Sequence, residues 1–134
     1  MSIRYKIFDD RKLVYLIAEK NPTFDEQLRN LETLANDPRY VAPMKKLVDF
    51  TKINPIGLTK EEIELFTEKK AQYKEKFKNE QTAVVVNNDL DFGVSRIFYA
   101  KMRSYGLQMN VFRNIEDALH WLDVKLDKTE MLFD

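Results

Sequence analysis

The chain has 134 residues, 44% of them hydrophobic and 12% aromatic, which is enough apolar material for one core and too much for a disordered segment. Its 22 basic and 22 acidic side chains cancel, leaving no overall field to draw in nucleic acid or an anionic membrane surface. Cysteine is absent, which excludes disulfides, thiolate nucleophiles and zinc–thiolate centres.

Ile3, Tyr5 and Ile7 alternate with Arg4 and Lys6, and Asp9-Asp10-Arg11 then separates them from the apolar run Leu13 to Ala18. Two strand-like runs split by a polar turn predict an antiparallel hairpin, its first strand toward an edge and its second inside. Thr23 and Glu26 form a capping box, and Phe24, Leu28, Leu31, Leu34 and Ala35 recur at helical spacing until Asp37-Pro38 stops them. Residues 40–46 read as irregular, 47–51 as a short strand and 54–57 as a loop. Thr59 and Glu62 open a second capping box, predicting a helix to about Lys78 with early acids, late lysines and Lys70 in its thin apolar seam.

The run Thr82 to Val86 predicts a buried strand, followed by a helix capped by Asp89 with Val94, Ile97, Phe98 and Met102 inward and Gly106 as a left-handed terminator. Gly93 is expected to lie close against the strand. A last strand over 107–113 leads to a helix capped by Asn114 and packed through Ile115, Ala118, Leu119 and Leu122. Strand–helix alternation predicts an α/β domain with a mixed, mostly parallel sheet of four or five strands, an N-terminal antiparallel hairpin and four flanking helices. The domain is expected over 1–126, with 127–134 a tail packed on it or at an interface, where Trp121 and Met131-Leu132-Phe133 could pair two copies.

The chemistry offered is sparse. His120, the single histidine, is expected on the outer side of the last helix, and a histidine-based metal site is excluded by number. Asp9-Asp10 and Asp89/Asp91 lack the spacing of a calcium loop, so no metal is expected. Three glycines cannot write a phosphate-binding fingerprint, and no serine elbow occurs. Ser95 and Arg96 are expected to face outward near a helix start, where backbone N–H groups can hold an anion. Ligands of open α/β sheets sit beyond the carboxyl ends of the strands. That rim should gather Asp49, Thr51, Asn54, Thr59, Asn87, Asn88, Asp89, Arg113 and Asn114, with caps and turns accounting for most of them.

The order of elements carries a family resemblance, together with Val84–Val86 continuing as Asn-Asn-Asp-Leu-Asp-Phe-Gly and the closing Val-Phe-Arg-Asn-Ile-Glu-Asp-Ala-Leu-His-Trp-Leu. From residue 3 to about 126 the chain resembles the STAS / SpoIIAA-like family, in its branch of small stand-alone bacterial proteins. The resemblance implies the mixed sheet above. In antagonists of this fold it also implies an Asp-Ser-Ser-Gly loop whose phosphorylated serine switches a kinase partner. The corresponding residues 49–59 lack the serine pair, leaving Thr51 and Thr59 as the nearest hydroxyls. Related folds of the CRAL-TRIO type hold an apolar molecule between sheet and helices, where Phe66, Tyr73 and Phe77 could form the cover.

The expectation is a non-enzymatic regulatory or protein-interaction module without cofactor, in the cytoplasm and with no transmembrane segment, nucleic-acid partner or metal. The competing expectation is a carrier or sensor of a small apolar, lipid-like ligand.

Overall fold

A computed structural model of the chain describes residues 2–53, 58–104 and 106–133. Its elements follow as β1 (Ile3–Phe8), a 3₁₀ turn (Asp9–Arg11), β2 (Leu13–Ala18), α1 (Phe24–Ala35), β3 (Lys45–Asp49), α2 (Lys60–Gln72), β4 (Gln81–Val85), α3 (Asp89–Ser104), β5 (Gln108–Phe112) and α4 (Ile115–Leu122). The five strands lie in one sheet in chain order, β1 antiparallel to β2 and every later pair parallel. Among the described residues no helix is long and apolar enough to cross a membrane.

Strand order that follows chain order has a geometric consequence. Crossovers of one hand, each stepping to the next strand on the same side, set their helices on the same face of the sheet. Val14, Leu16 and Val48 therefore meet residues of α1, α2 and α3 on one face. Leu13, Tyr15, Leu47, Ala83 and Val85 on the opposite face meet α4 and the tail. Buried strands point alternate residues into both layers, which is why β2 reads as a continuous apolar run.

Local chemistry sets the helix ends. Thr23 and Thr59 each accept from the backbone N–H three residues on, at 3.1 Å in both cases, and Glu26 and Glu62 reach back to close the capping boxes. Asn114 accepts from Asp117 N–H at 2.8 Å. Gly106 adopts φ 79°, and the N–H groups of Gly106 and Leu107 return to the carbonyls of Arg103 and Met102, a Schellman closure of α3.

Five local expectations are corrected. β3 begins at Lys45, inside the segment read as irregular, because Lys45 N–H donates to Lys12 O at 2.8 Å and Gln81 N–H to Met44 O at 3.2 Å; pairing on both sides overrides the weak strand preference of lysine. α2 stops at Gln72 rather than near Lys78, and the following turns let Phe77 pack edge-on against both Tyr40 and Tyr73. Asn88, not Asp89, caps α3, accepting from Asp91 N–H at 2.8 Å. Ile97 is 68% exposed, whereas Val94, Phe98 and Met102 do face inward, with Asp91 and Ser95 buried beside them. A Cβ on Gly93 would meet nothing within 4 Å, so close packing does not explain that glycine.

Candidate functional site

The C-terminal rim of the sheet and the layer beneath α1–α3 each gather polar side chains. At the rim, Asn87 Nδ2 donates to Thr51 O at 2.8 Å, and Arg113 reaches Asn87 O at 3.2 Å while pairing with Asp89. Asp49 accepts from Tyr15 OH at 2.7 Å and from Thr51 Oγ1 at 2.6 Å and N–H at 3.0 Å; burial first, then the carboxylate, pushes the Tyr15 hydroxyl far above its ordinary range. Thr51, Asn87, Asn88, Asp89 and Arg113 are thus brought together, Asn88 joining through its Nδ2, which donates to Asn87 Oδ1 at 2.7 Å. Thr59 stands exposed as the α2 cap, and Arg96 is exposed with its guanidinium 6.0 Å from the Phe92 ring centre. Asn54 lies outside the described residues.

The other place is a cavity of about 100 Å³ between the sheet and α1, α2 and α3. Leu16, Val48 and Val84 form its floor, and Phe66, Phe98 and Met102 stand over it. Phe66 and Phe98 bridge α2 to α3 with ring centres 5.6 Å apart. Of the aromatic residues expected to cover a pocket, only Phe66 is on its wall. Tyr73 and Phe77 sit to one side with Tyr40 and α1. Ser95, expected to face outward, is 8% exposed and lines the cavity, because position 95 falls one turn from Asp91 on the buried stripe.

One end of the cavity is polar. Parallel register places Val14, Lys46, Thr82 and Met109 in one row across the sheet, so the Lys46 side chain enters the helix-covered layer. Lys70 from α2 comes down beside it and donates to Glu80 Oε1 at 2.6 Å. Glu80 also accepts from Thr82 Oγ1 at 2.8 Å and from Tyr40 OH. Phe77 offers its ring to both ammonium groups, 5.1 Å from Lys70 Nζ and 5.8 Å from Lys46 Nζ.

The charges in this cluster do not balance. Lys46, Lys70 and Glu80 are 6%, 5% and 1% exposed, two cations against one carboxylate. Burial opposes ionisation of Glu80, yet the Lys70 and Lys46 charges win and hold it at about 2. Burial, then the adjacent Lys70 charge, lowers Lys46 to about 8, only partly offset by Glu80. Among the described residues no carboxylate lies within ion-pair distance of Lys46. Gln27 of α1 also lines the cavity, 8% exposed, and its Nε2 is the one buried side-chain nitrogen or oxygen without a hydrogen-bond partner among those residues.

Sequence reading misses Gln27 and Lys46. Gln27 occupies the stripe that continues as Leu31 and Leu34, and Lys46 alternates with Met44 and Val48; each is a polar residue in register with core residues, which is the usable signal. Among the described residues no group of three or more His, Cys, Asp or Glu could hold a metal ion. Compared with models of known families, with curated proteins and with solved structures, the chain gives no match.

Proposed function

We propose that this chain is a non-enzymatic module that holds a small, largely apolar ligand between the sheet and helices α1–α3. The observation that carries this reading is the cavity beneath Phe66, Phe98 and Met102, walled by aliphatic and aromatic side chains with a few polar groups at one end. Ligand sites have this make-up: an apolar body and a small number of polar groups that orient the guest. The size restricts the guest. A cavity of about 150 Å³ takes benzene, with six non-hydrogen atoms, so about 100 Å³ suits a buried body of roughly four. The lipid-like ligand expected from sequence is narrowed to a short-chain molecule.

Kinship with the STAS / SpoIIAA-like group is part of the proposal. It is supported by the antiparallel hairpin followed by strand–helix units added in chain order.

Methionine methyl resonances provide the test, because Met102 and Met109 line the cavity while Met44 and Met131 pack in other clusters. Titration with the four-carbon probes 1-butanol and butanoate should give saturable shifts at Met102 and Met109 alone. If no probe moves those two, or Met44, Met102, Met109 and Met131 respond alike, the reading falls.

A second reading, a module that docks a regulatory protein partner, is favoured by one observation. Leu90 and Ile97, two turns apart on the outer side of α3, are 70% and 68% exposed. A photocrosslinker at position 97 should capture a partner in the source cells, and Leu90→Lys should abolish that capture; a crosslink indifferent to Leu90→Lys removes this reading.

A further inference from the structure

We infer that the guest of this cavity is an anion, a short-chain carboxylate whose head sits at Lys46 Nζ with its hydrocarbon body under Phe66 and Phe98, in a cavity whose wall also carries the unpartnered donor Gln27 Nε2. The inference rests on the ligand-holding role proposed above and adds the chemical class.

Three features of the cavity point the same way. First, the cluster of Lys46, Lys70 and Glu80 carries one surplus cation, since Glu80 is engaged by Lys70, Tyr40 and Thr82 and, among the described residues, no carboxylate lies within ion-pair distance of Lys46. An ammonium taken out of water needs a counter-charge, and the Phe77 ring supplies only part of it. Second, Gln27 Nε2 is a buried donor without an acceptor. Third, the cavity wall contains no aspartate or glutamate among the described residues, and Glu80 behind it is already engaged by Lys70, which leaves Lys46 to attract an anion. A carboxylate supplies what is missing. It accepts several hydrogen bonds and carries one negative charge, and charge-assisted hydrogen bonds of this kind are the stronger ones. A neutral alcohol or amide of equal length fills the same volume but leaves the Lys46 charge uncompensated. A cation is excluded by the two lysines. The remaining walls take an alkyl chain of a few carbons, in keeping with about 100 Å³.

The experiment compares butanoate with butanamide, isosteric in shape and differing in charge, by the Met102 and Met109 resonances at pH 7. Butanoate should bind at least tenfold more tightly. Two variants carry the assignment. Lys46→Met removes the surplus charge at similar volume. Gln27→Glu places a carboxylate in the cavity from the chain itself. Each should bring butanoate to the affinity of butanamide, and saturable butanamide shifts that persist at Met102 and Met109 report that the cavity is intact. Saturable but equal binding of both probes to the unmodified protein overturns the anion inference and leaves the ligand-holding role standing. Butanoate preference that survives Lys46→Met overturns the placement of the head. Failure of both probes to shift either methionine removes this inference and the underlying role together.

Discussion

At the residue scale the centre of this protein is defined by where polarity enters the core. Lys46 is the sharpest case, because a single substitution separates its contributions. With its charge counted, the helix-covered layer holds a desolvated ammonium, and buried ions without good partners are less favourable than apolar side chains of the same volume. Lys46→Met is therefore expected to raise the free energy of unfolding by about 1–3 kcal/mol, read from urea denaturation. The pH dependence has a definite sign. Lys46 sits at about 8 when folded against 10.5 when free, so between those values the unfolded chain binds more protons and stability rises with pH. Tyr5, raised to about 12 by burial and then by Asp37, acts the other way, contributing stability that is lost as pH climbs above 10. The useful window is pH 8 to about 10. There the unmodified protein should gain on Lys46→Met, and parallel profiles would show that Lys46 does not titrate as described.

The same cluster contains the opposite case. Glu80 joins Lys70, Tyr40 and Thr82, so removing it strands two ammonium groups rather than one. Glu80→Gln should cost about 3–5 kcal/mol, the penalty for breaking a buried pair from one side. A loss under about 1 kcal/mol by urea titration, the scale of an exposed pair, would mean that the Lys70 charge reaches solvent.

At the element scale, the parts legible in the sequence are those governed by local chemistry. Both capping boxes, the Asn114 cap and the Gly106 terminator follow from side chains acting within one turn, and each occurs where its residues stand. The parts that are not legible depend on distant partners. Nothing local says that Lys45 and Lys46 belong to a strand; the neighbours β2 and β4 decide it. In α3 hydrophobicity finds the inward Val94, Phe98 and Met102 but misplaces Ile97, which lies outside, and passes over Asp91 and Ser95, which are buried. Hydrophobicity alone passes over an inner position whenever a polar group is buried there to serve a cap or a cavity. The polar end of the candidate site is hidden for that reason.

The two glycines of this helix region separate backbone from packing effects. Gly93 lies in the helix, exposed, and a Cβ added there would have no atom within 4 Å, so Gly93→Ala should stabilise by roughly 0.5–1 kcal/mol through lost freedom of the unfolded chain. Gly106 has equal room but φ 79°, and Gly106→Ala should destabilise by about 1 kcal/mol because L residues avoid that conformation. Thermal or urea midpoints moving in opposite directions would establish the contrast; two shifts of the same sign would refute it.

At the scale of the whole molecule, the two faces of the sheet are covered by different means. Three crossover helices cover one face, whereas the other has α4 and then the C-terminal tail. The tail is tied down at several points. Arg11 grips the Glu130 carboxylate with bonds of 3.0 and 2.5 Å, Lys6 Nζ donates to the Glu130 carbonyl at 3.2 Å and to that of Leu132, and Phe133 stacks on Tyr15 with ring centres 6.0 Å apart. Arg4 also lies against the Phe133 ring, 4.5 Å from its centre. Trp121 packs against Phe112 at 5.7 Å in the same cluster as Met131. Deleting residues 128–134 should therefore cost about 2–3 kcal/mol of stability from the apolar area returned to water. It should also leave Tyr15 open to a second copy, so the shortened chain is expected to sediment as a concentration-dependent mixture while the full chain sediments as a monomer. A full chain that is dimeric, and falls to monomer on deletion, would instead place the tail between two copies. Acid should weaken the same clamp without surgery. The Arg11 guanidinium, as principal cause, holds Glu130 at about 2 against its ordinary 4.5, so its contribution is complete above pH 4.5 and is lost as pH falls toward 2. Protease cleavage between residues 126 and 130 should consequently accelerate in that interval before the sheet itself unfolds, and Glu130→Gln should show the faster cleavage already at neutral pH.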